Sequence, residues 1–297
     1  MPRLKIWDSS TSLWDYVDNQ YSSNPMLIIS ASYVPNKREL ISADRTYYVN
    51  PTGSNSNDGL TTATPFQTVQ YALNYAATNI DPGIFLLTVQ MTDGTYAENI
   101  IVPRCLTSGT ASLVLNGNQT NPSLTVISAS NTSNAVSVIH YNGSAILSNF
   151  KIDGGFNSIY VNNGSVVSIN NLIFGKCAPT AWHMNIFNGS EITVDGPYAV
   201  SGSTFTTAGH VISYVNSRFI CGIKRVSITG SWTVTSQFAW ADTLGSMYAI
   251  GNTYVSTSII TGARYSATAN GTIVTLGGAN YFPGNSAGGT ATGGQYV

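Results

Sequence analysis

One turn motif recurs along this chain and restricts its fold more than any other feature. Asn142-Gly143-Ser144 precedes the run Ala-Ile-Leu-Ser, and Asn163-Gly164-Ser165 precedes Val-Val-Ser-Ile. Asn188-Gly189-Ser190 precedes Glu-Ile-Thr-Val, and Asn270-Gly271-Thr272 precedes Ile-Val-Thr-Leu. The first two steps are 163 − 142 = 21 and 188 − 163 = 25 residues. A hairpin meander, as in a β-sandwich, repeats at about 8–12 residues. Periods of about 20–50 residues belong to solenoids, in which each repeat buries its apolar face only against its neighbours. The spacing therefore predicts one turn of a three-sided parallel β-helix per repeat. Parallel crossovers of this kind wind right-handed.

The plan of one turn follows from strand geometry. Ala145 and Leu147 point one way and Ile146 and Ser148 the other, because successive strand residues alternate faces. Phe150 and Ile152 begin the next face. Asn149 and Asn170 are expected at bends, stacked in a ladder that satisfies backbone groups there. Short strands continue along the chain, but from about residue 200 the period blurs. Runs at 210–215, 224–228, 232–234 and 248–250 still read as strands.

A lid is expected ahead of the first turn. Tyr47-Tyr48-Val49 reads as a strand, and the following loop carries Asp58-Gly59, a strong turn signal. Thr64 reads as a helix N-cap, with Pro65 at the first helical position and Gln67 completing a capping box. Val69, Ala72, Leu73 and Ala76 recur at helical spacing, so a helix over 65–77 has one apolar face to lay on the strands.

The 297 residues suffice for one large core. Charged residues are only 8%, while 43% are apolar and 11% aromatic, which fits an all-β fold with a hydroxyl- and amide-rich exterior and excludes a disordered chain. A net charge of −1 provides no field for nucleic acid or an anionic membrane surface. The opening MPRLKIWDSS lacks the apolar run of a signal peptide, and nothing approaches a membrane-spanning length. Cys105, Cys177 and Cys221 are odd in number and far apart, against a disulfide framework and in keeping with a reducing cytoplasm.

Residues 1–45 differ from the rest. Leu4-Lys5-Ile6-Trp7 and Leu13-Trp14-Asp15-Tyr16-Val17 read as a hairpin, which is marginal in water unless Trp7 and Trp14 pack on a partner. A further strand-like run covers 26–32. At the other end the Gly-rich residues 283–297 read as a tail, pinned to the last coil or to a neighbouring chain by Tyr296 and Val297.

Chemistry is sparse. Asp58, Asp93, Asp153 and Asp195 are each followed by Gly, and so read first as turn formers. If the chain is an enzyme, Asp153, Glu191 and Asp195 are the candidate acids. Glu191 and Asp195 are roughly 13 Å apart on one straight strand at ~3.3 Å per residue. Paired glycosidase carboxylates need about 5–9.5 Å. His140, His183 and His210 lack partners at metal-ligand spacing, so no metal and no cofactor is expected. Trp182, Tyr198 and Trp240 are the candidate sugar-stacking residues, although Trp232, Val234, Phe238 and Trp240 share strand parity, as a buried face would.

The order of Asp58-Gly59, Pro65-Phe66, Thr68-Val69 and Ala72 ahead of a helix resembles the start of pectate-lyase-like, single-stranded right-handed parallel β-helix proteins. The Trp-bearing hairpin resembles those at the start of phage tail and fibre proteins. Tyr281-Phe282-Pro283-Gly284 and Gly293-Gly294-Gln295-Tyr296 resemble the closing segment of phage-type β-helix proteins. The resemblance implies an all-β chain: hairpin segment at 1–45, helix-capped parallel β-helix at 46–282, tail at 283–297. It implies a phage virion protein (tail fibre, tailspike or capsid-surface spike) that is a homotrimer and docks other virion proteins through Trp7 and Trp14. It also implies a ligand in bacterial surface polysaccharide. A polysaccharide lyase or hydrolase on the same fold is the alternative, and a bacterial surface adhesin a third.

Overall fold

The structure is a computed structural model that describes residues 5–8, 13–16, 38–103, 112–140, 143–256 and 260–297, the first two segments by their backbone alone. The chain divides into two units, 1–37 and 38–297. In the first, Lys5–Asp8 pairs antiparallel with Leu13–Tyr16 and places Trp7 opposite Trp14, the hairpin read from the sequence. The strand-like run at 26–32, Cys105 and the side chains of Trp7 and Trp14 lie outside the described residues.

The second unit is a parallel β-solenoid of about seven turns. Each turn contributes a strand to each of three sheets. Sheet I has ten strands, from Arg45–Val49 to Gln295–Tyr296. Sheet II has seven, from Gly94–Tyr96 to Thr253–Ser256. Sheet III has eight, from Ile100–Val102 to Gly289–Thr290. Alternation along each strand selects the core. In sheet I the stack Leu87, Leu113, Ala145, Val167, Ile192, Phe219, Met247, Ile273 is in continuous register, and all eight are buried. Each contact is repeated by the turns above and below, so the apolar face is shielded along the whole axis.

The recurring turn motif is the corner between sheet III and sheet I. Asn163 and Gly164 have φ of 57° and 74°, and Asn188 and Gly189 have 54° and 72°. Two successive left-handed residues are what Asn-Gly accepts most readily. Backbone bonds stack the corners: Gly164 N–H donates to Asn188 O, Gly189 to Val215 O, Asn216 to Thr243 O, Leu244 to Ala269 O and Asn270 to Thr292 O. The fourth copy is out of phase, because Ala269 and Asn270 hold the left-handed pair there and Gly271 follows it. A side chain at Gly271 would meet the Ala241 carbonyl at 2.3 Å. The period blurs beyond residue 200 because Val215-Asn216 and Thr243-Leu244 make the same corner without glycine. One turn also lengthens, from 22 residues between Ser144 and Val166 to 28 between Arg218 and Ser246.

The side-chain ladder contains Asn149 as expected, but Asn171 takes the place expected for Asn170. Asn171 donates to Asn149 Oδ1 at 2.9 Å, Asn149 to Asn116 Oδ1 at 2.8 Å and Asn116 to Gln90 Oε1 at 2.7 Å. Asn171, not Asn170, has the left-handed backbone (φ 51°) that turns the carboxamide along the axis.

The lid is present, but its helix spans Val69–Asn79 and starts four residues later than expected. Thr68 is the N-cap and accepts from Tyr71 N–H. Thr64 donates instead to Asp58 Oδ1, and Phe66 is drawn into a bridge with Val49, where it is fully buried. Burial of Phe66 in that bridge keeps 64–67 out of the helix and displaces the capping box. Glu98 completes the start of the helix, accepting from Val69 N–H and Gln70 N–H at 2.9 Å each.

At the far end, Gln295–Tyr296 pairs with Thr272–Val274 and Gly289–Thr290 with the strand Ile260–Ala267. Tyr296 stacks on Tyr265 with 3.7 Å between ring centroids. Residues 283–297 thus form the last turn of the solenoid, within a compact unit that covers 38–297.

Candidate functional site

The candidate site grows out of an irregularity in sheet III. Strict alternation would put Trp182, Met184 and Ile186 on one face. His183 and Met184 are instead both buried against the core, which carries Asn185 and Phe187 to the side where Trp182 stands. The same double step occurs one turn on at His210-Val211 and again at Phe238-Ala239. These three pairs are stacked: the register aligns Met184 with Val211 and Val211 with Ala239. Trp232, Val234 and Phe238 are interior as parity predicts, whereas Trp240 is turned outward.

The outer face so formed is aromatic. The row Tyr160, Asn185, Ile212, Trp240, Ser266 runs along the axis in register, and beside it run Phe187, Tyr214 and Asp242. Trp182 lies over Gly209, where a methyl group would meet the indole at 2.0 Å. Glycine here lets the ring lie flat across the next turn. Trp182 and Trp240 are 6.1 Å apart at 45°, and Phe187 stacks on Tyr214 at 4.6 Å. Trp182, Ala208 and Ile212 form an apolar cluster outside the main core, with Tyr214 and Trp240 partly exposed at its margin.

Polar groups frame these rings. Trp240 Nε1–H donates to Thr268 Oγ1, and the Thr268 hydroxyl donates to Asp242 Oδ1 at 2.8 Å. Asn162 donates to the Tyr160 hydroxyl at 2.8 Å. Burial raises the phenols of Tyr160 and Tyr214 above their ordinary range, so both remain protonated donors. The Asn185 carboxamide oxygen is covered and accepts no hydrogen bond among the described residues. Such an acceptor costs roughly 1–3 kcal/mol until a donor reaches it. Flat ring faces beside amide, carboxylate and phenol groups suit a ligand with apolar C–H faces and many hydroxyls.

Of the sequence candidates, Trp182 and Trp240 meet on this face. Tyr198 does not: it is interior, stacked on His210, and its hydroxyl lies 2.9 Å from His210 Nε2. Sheet II carries Tyr198, and its alternation sends residue 198 inward beside Val200. Phe187, Tyr160 and Asn185 were missed, because the double inward step gives no periodic signal.

The three candidate acids are scattered over different elements. Glu191, on the outer face of sheet I, pairs with Arg218 (Nε to Oε2, 2.9 Å). Asp153, on sheet II, pairs with Lys151 at 3.0 Å. Asp195 accepts from the Ser168 hydroxyl. No cluster of three or more His, Cys, Asp or Glu suited to a metal occurs among the described residues, and no described helix is long and apolar enough to cross a membrane. Comparison with protein-family models, with curated proteins and with solved structures finds no match.

Proposed function

We propose that this chain is a bacteriophage virion protein, a tail fibre, tailspike or capsid-surface spike, that binds host-surface polysaccharide through the outer face of sheet III. In this reading it assembles as a homotrimer and docks on the particle through residues 1–45. The observation that carries the binding role is the Trp182–Trp240 pair on an outer sheet face beside the partly exposed Tyr214. Tyr214 and Trp240 keep ring surface partly exposed at the margin of the Trp182–Ala208–Ile212 cluster, where a ligand can stack on them. The solenoid supplies rigidity, since each ring is fixed on a strand paired on both sides. Sugar rings stack on such platforms by their C–H faces while their hydroxyls reach the surrounding amides.

The test is a titration of the full-length protein with oligosaccharides from the capsule and lipopolysaccharide of candidate hosts. Trp240→Ala is expected to weaken binding at least tenfold, with far-ultraviolet circular dichroism unchanged. Equal affinity in parent and variant sinks the assignment. Release of reducing ends or unsaturated sugars, abolished by substitution of Asp153, Glu191 or Asp195, would transfer the chain to the lyase or hydrolase class.

A further inference from the structure

The geometry points to a second subsite, at the corner between sheets II and III, that takes one anionic sugar residue bearing a carboxylate; this rests on the glycan-binding reading above. The solenoid widens at this point. The sheet III strand Trp182–Phe187 is followed one turn later by Phe205–Tyr214, and Trp182 pairs with Gly209. Residues 202–207 therefore have no strand partner in the preceding turn, which is met again where Ala208 N–H donates to Ala181 O at 2.8 Å. Beside this segment lies a groove of about 240 Å³ lined by Lys151, Asp153 and Lys176 and by Ser203, Thr204 and Phe205.

The groups in this groove are held for recognition. Asp153 is fixed by Lys151 at 3.0 Å and by the Lys176 backbone N–H at 3.3 Å. Gly175 makes room for it: a Cβ there would lie 2.7 Å from Asp153 Oδ1. The ion pair is partly shielded, with side-chain exposures of 22% and 30%. Lys176 makes no ion pair among the described residues, so the groove carries two ammonium groups against one carboxylate. A sugar carboxylate is attracted to Lys176, a ring hydroxyl donates to Asp153, and Ser203 and Thr204 supply hydroxyls. Phe205 supplies the aromatic wall. The volume is below the usual range of about 300–1,000 Å³ for drug-sized ligands, which suits a single pyranose rather than a chain.

The experiment follows backbone amide resonances of the full-length protein titrated with glucuronate, galacturonate and N-acetylneuraminate, against glucose and galactose. At least one acidic sugar is expected to shift Lys176 and Thr204 saturably. Lys176→Gln should weaken that binding at least fivefold and flatten its salt dependence, with an unchanged melting temperature. Neutral sugars shifting these residues equally, no acidic sugar shifting them, or full binding in Lys176→Gln would each overturn the subsite. Host oligosaccharide binding that survives Lys176→Gln but is lost in Trp240→Ala removes this subsite alone. Binding lost in neither variant removes the aromatic-face reading.

Discussion

His183 and His210 meet Nδ1 to Nδ1 at 3.0 Å inside the solenoid, both fully buried. Their partners fix every proton. His183 Nε2 lies 2.9 Å from the Gly175 carbonyl, which only accepts, so that nitrogen carries the hydrogen and His183 Nδ1 accepts. His210 Nδ1 must then donate, and its Nε2 accepts from the Tyr198 hydroxyl. The chain Tyr198 to His210 to His183 to Gly175 is complete with both rings neutral. A proton added at His183 Nδ1 faces the His210 Nδ1–H, and one added at His210 Nε2 takes the acceptor away from the Tyr198 hydroxyl.

Acid should therefore weaken the fold. Burial lowers His183 from its ordinary 6.5 to about 4 and lowers His210 in the same direction. The facing groups are Phe174, Tyr198, Phe205, Trp232 and Phe238, none of them a carboxylate. With folded values below the unfolded ones, stability is full above about pH 6.5 and falls as pH drops toward 4. At pH 5 the loss from His183 alone is about 2 kcal/mol, and His210 acts in the same direction. Urea midpoints at pH 7.5 and pH 5.0 check this; equal midpoints would show that the imidazoles are not held neutral.

The lid depends on two substitutable contacts. Leu73 is 1% exposed at the contact with the first turns, and Leu73→Asp should cost several kcal/mol by burying an unpaired charge. Glu98→Ala leaves Val69 N–H and Gln70 N–H without their carboxylate and should cost about 1–2 kcal/mol. Melting temperatures rank the variants: Leu73→Asp lowest, Glu98→Ala between it and the parent. An unchanged Leu73→Asp would mean that the helix does not cover the core.

Val215 adopts φ 52° at a corner where the two preceding turns use Asn163 and Asn188. A β-branched residue is strained there by roughly 1–2 kcal/mol. Val215→Asn should raise stability by about 1 kcal/mol. Asn188→Val, which places the same strain at φ 54° and removes the bond to Asn163, should lower it. Denaturant midpoints that move the other way would contradict the corner assignment.

For assembly, removal of residues 1–37 is the informative truncation. Removing 1–45 would also take the Glu39–Leu40 strand, paired with Ile80–Asp81, and Arg45, whose guanidinium holds Glu39 at 2.8 Å. The truncated chain should melt as the parent does and no longer enter particles. Sedimentation of the full chain as a monomer at micromolar concentration would count against the trimer. Normal incorporation of the truncated chain would count against docking by the hairpin.

The sequence by itself determined the parallel solenoid, the lid and the hairpin. Asn-Gly at 163 and 188 states a local backbone requirement, two left-handed residues in succession, and its spacing gives the length of a turn. Local requirements of this kind are written residue by residue. Tertiary structure decided where that signal is absent: Val215-Asn216 and Thr243-Leu244 are forced into the same corner by the turns on either side. It also decided the helix start, because burying Phe66 against Val49 outweighed a capping box at Thr64. The candidate site was half legible. Tryptophan at 182 and 240 drew notice by composition, but parity assigned Trp240 to the core and left Tyr198 free for the surface. The widening turns needed two adjacent inward residues, His183-Met184, His210-Val211 and Phe238-Ala239, to fill a broader interior. That need belongs to the cross-section of the stacked turns, and it is what moved Trp240 outward beside Trp182.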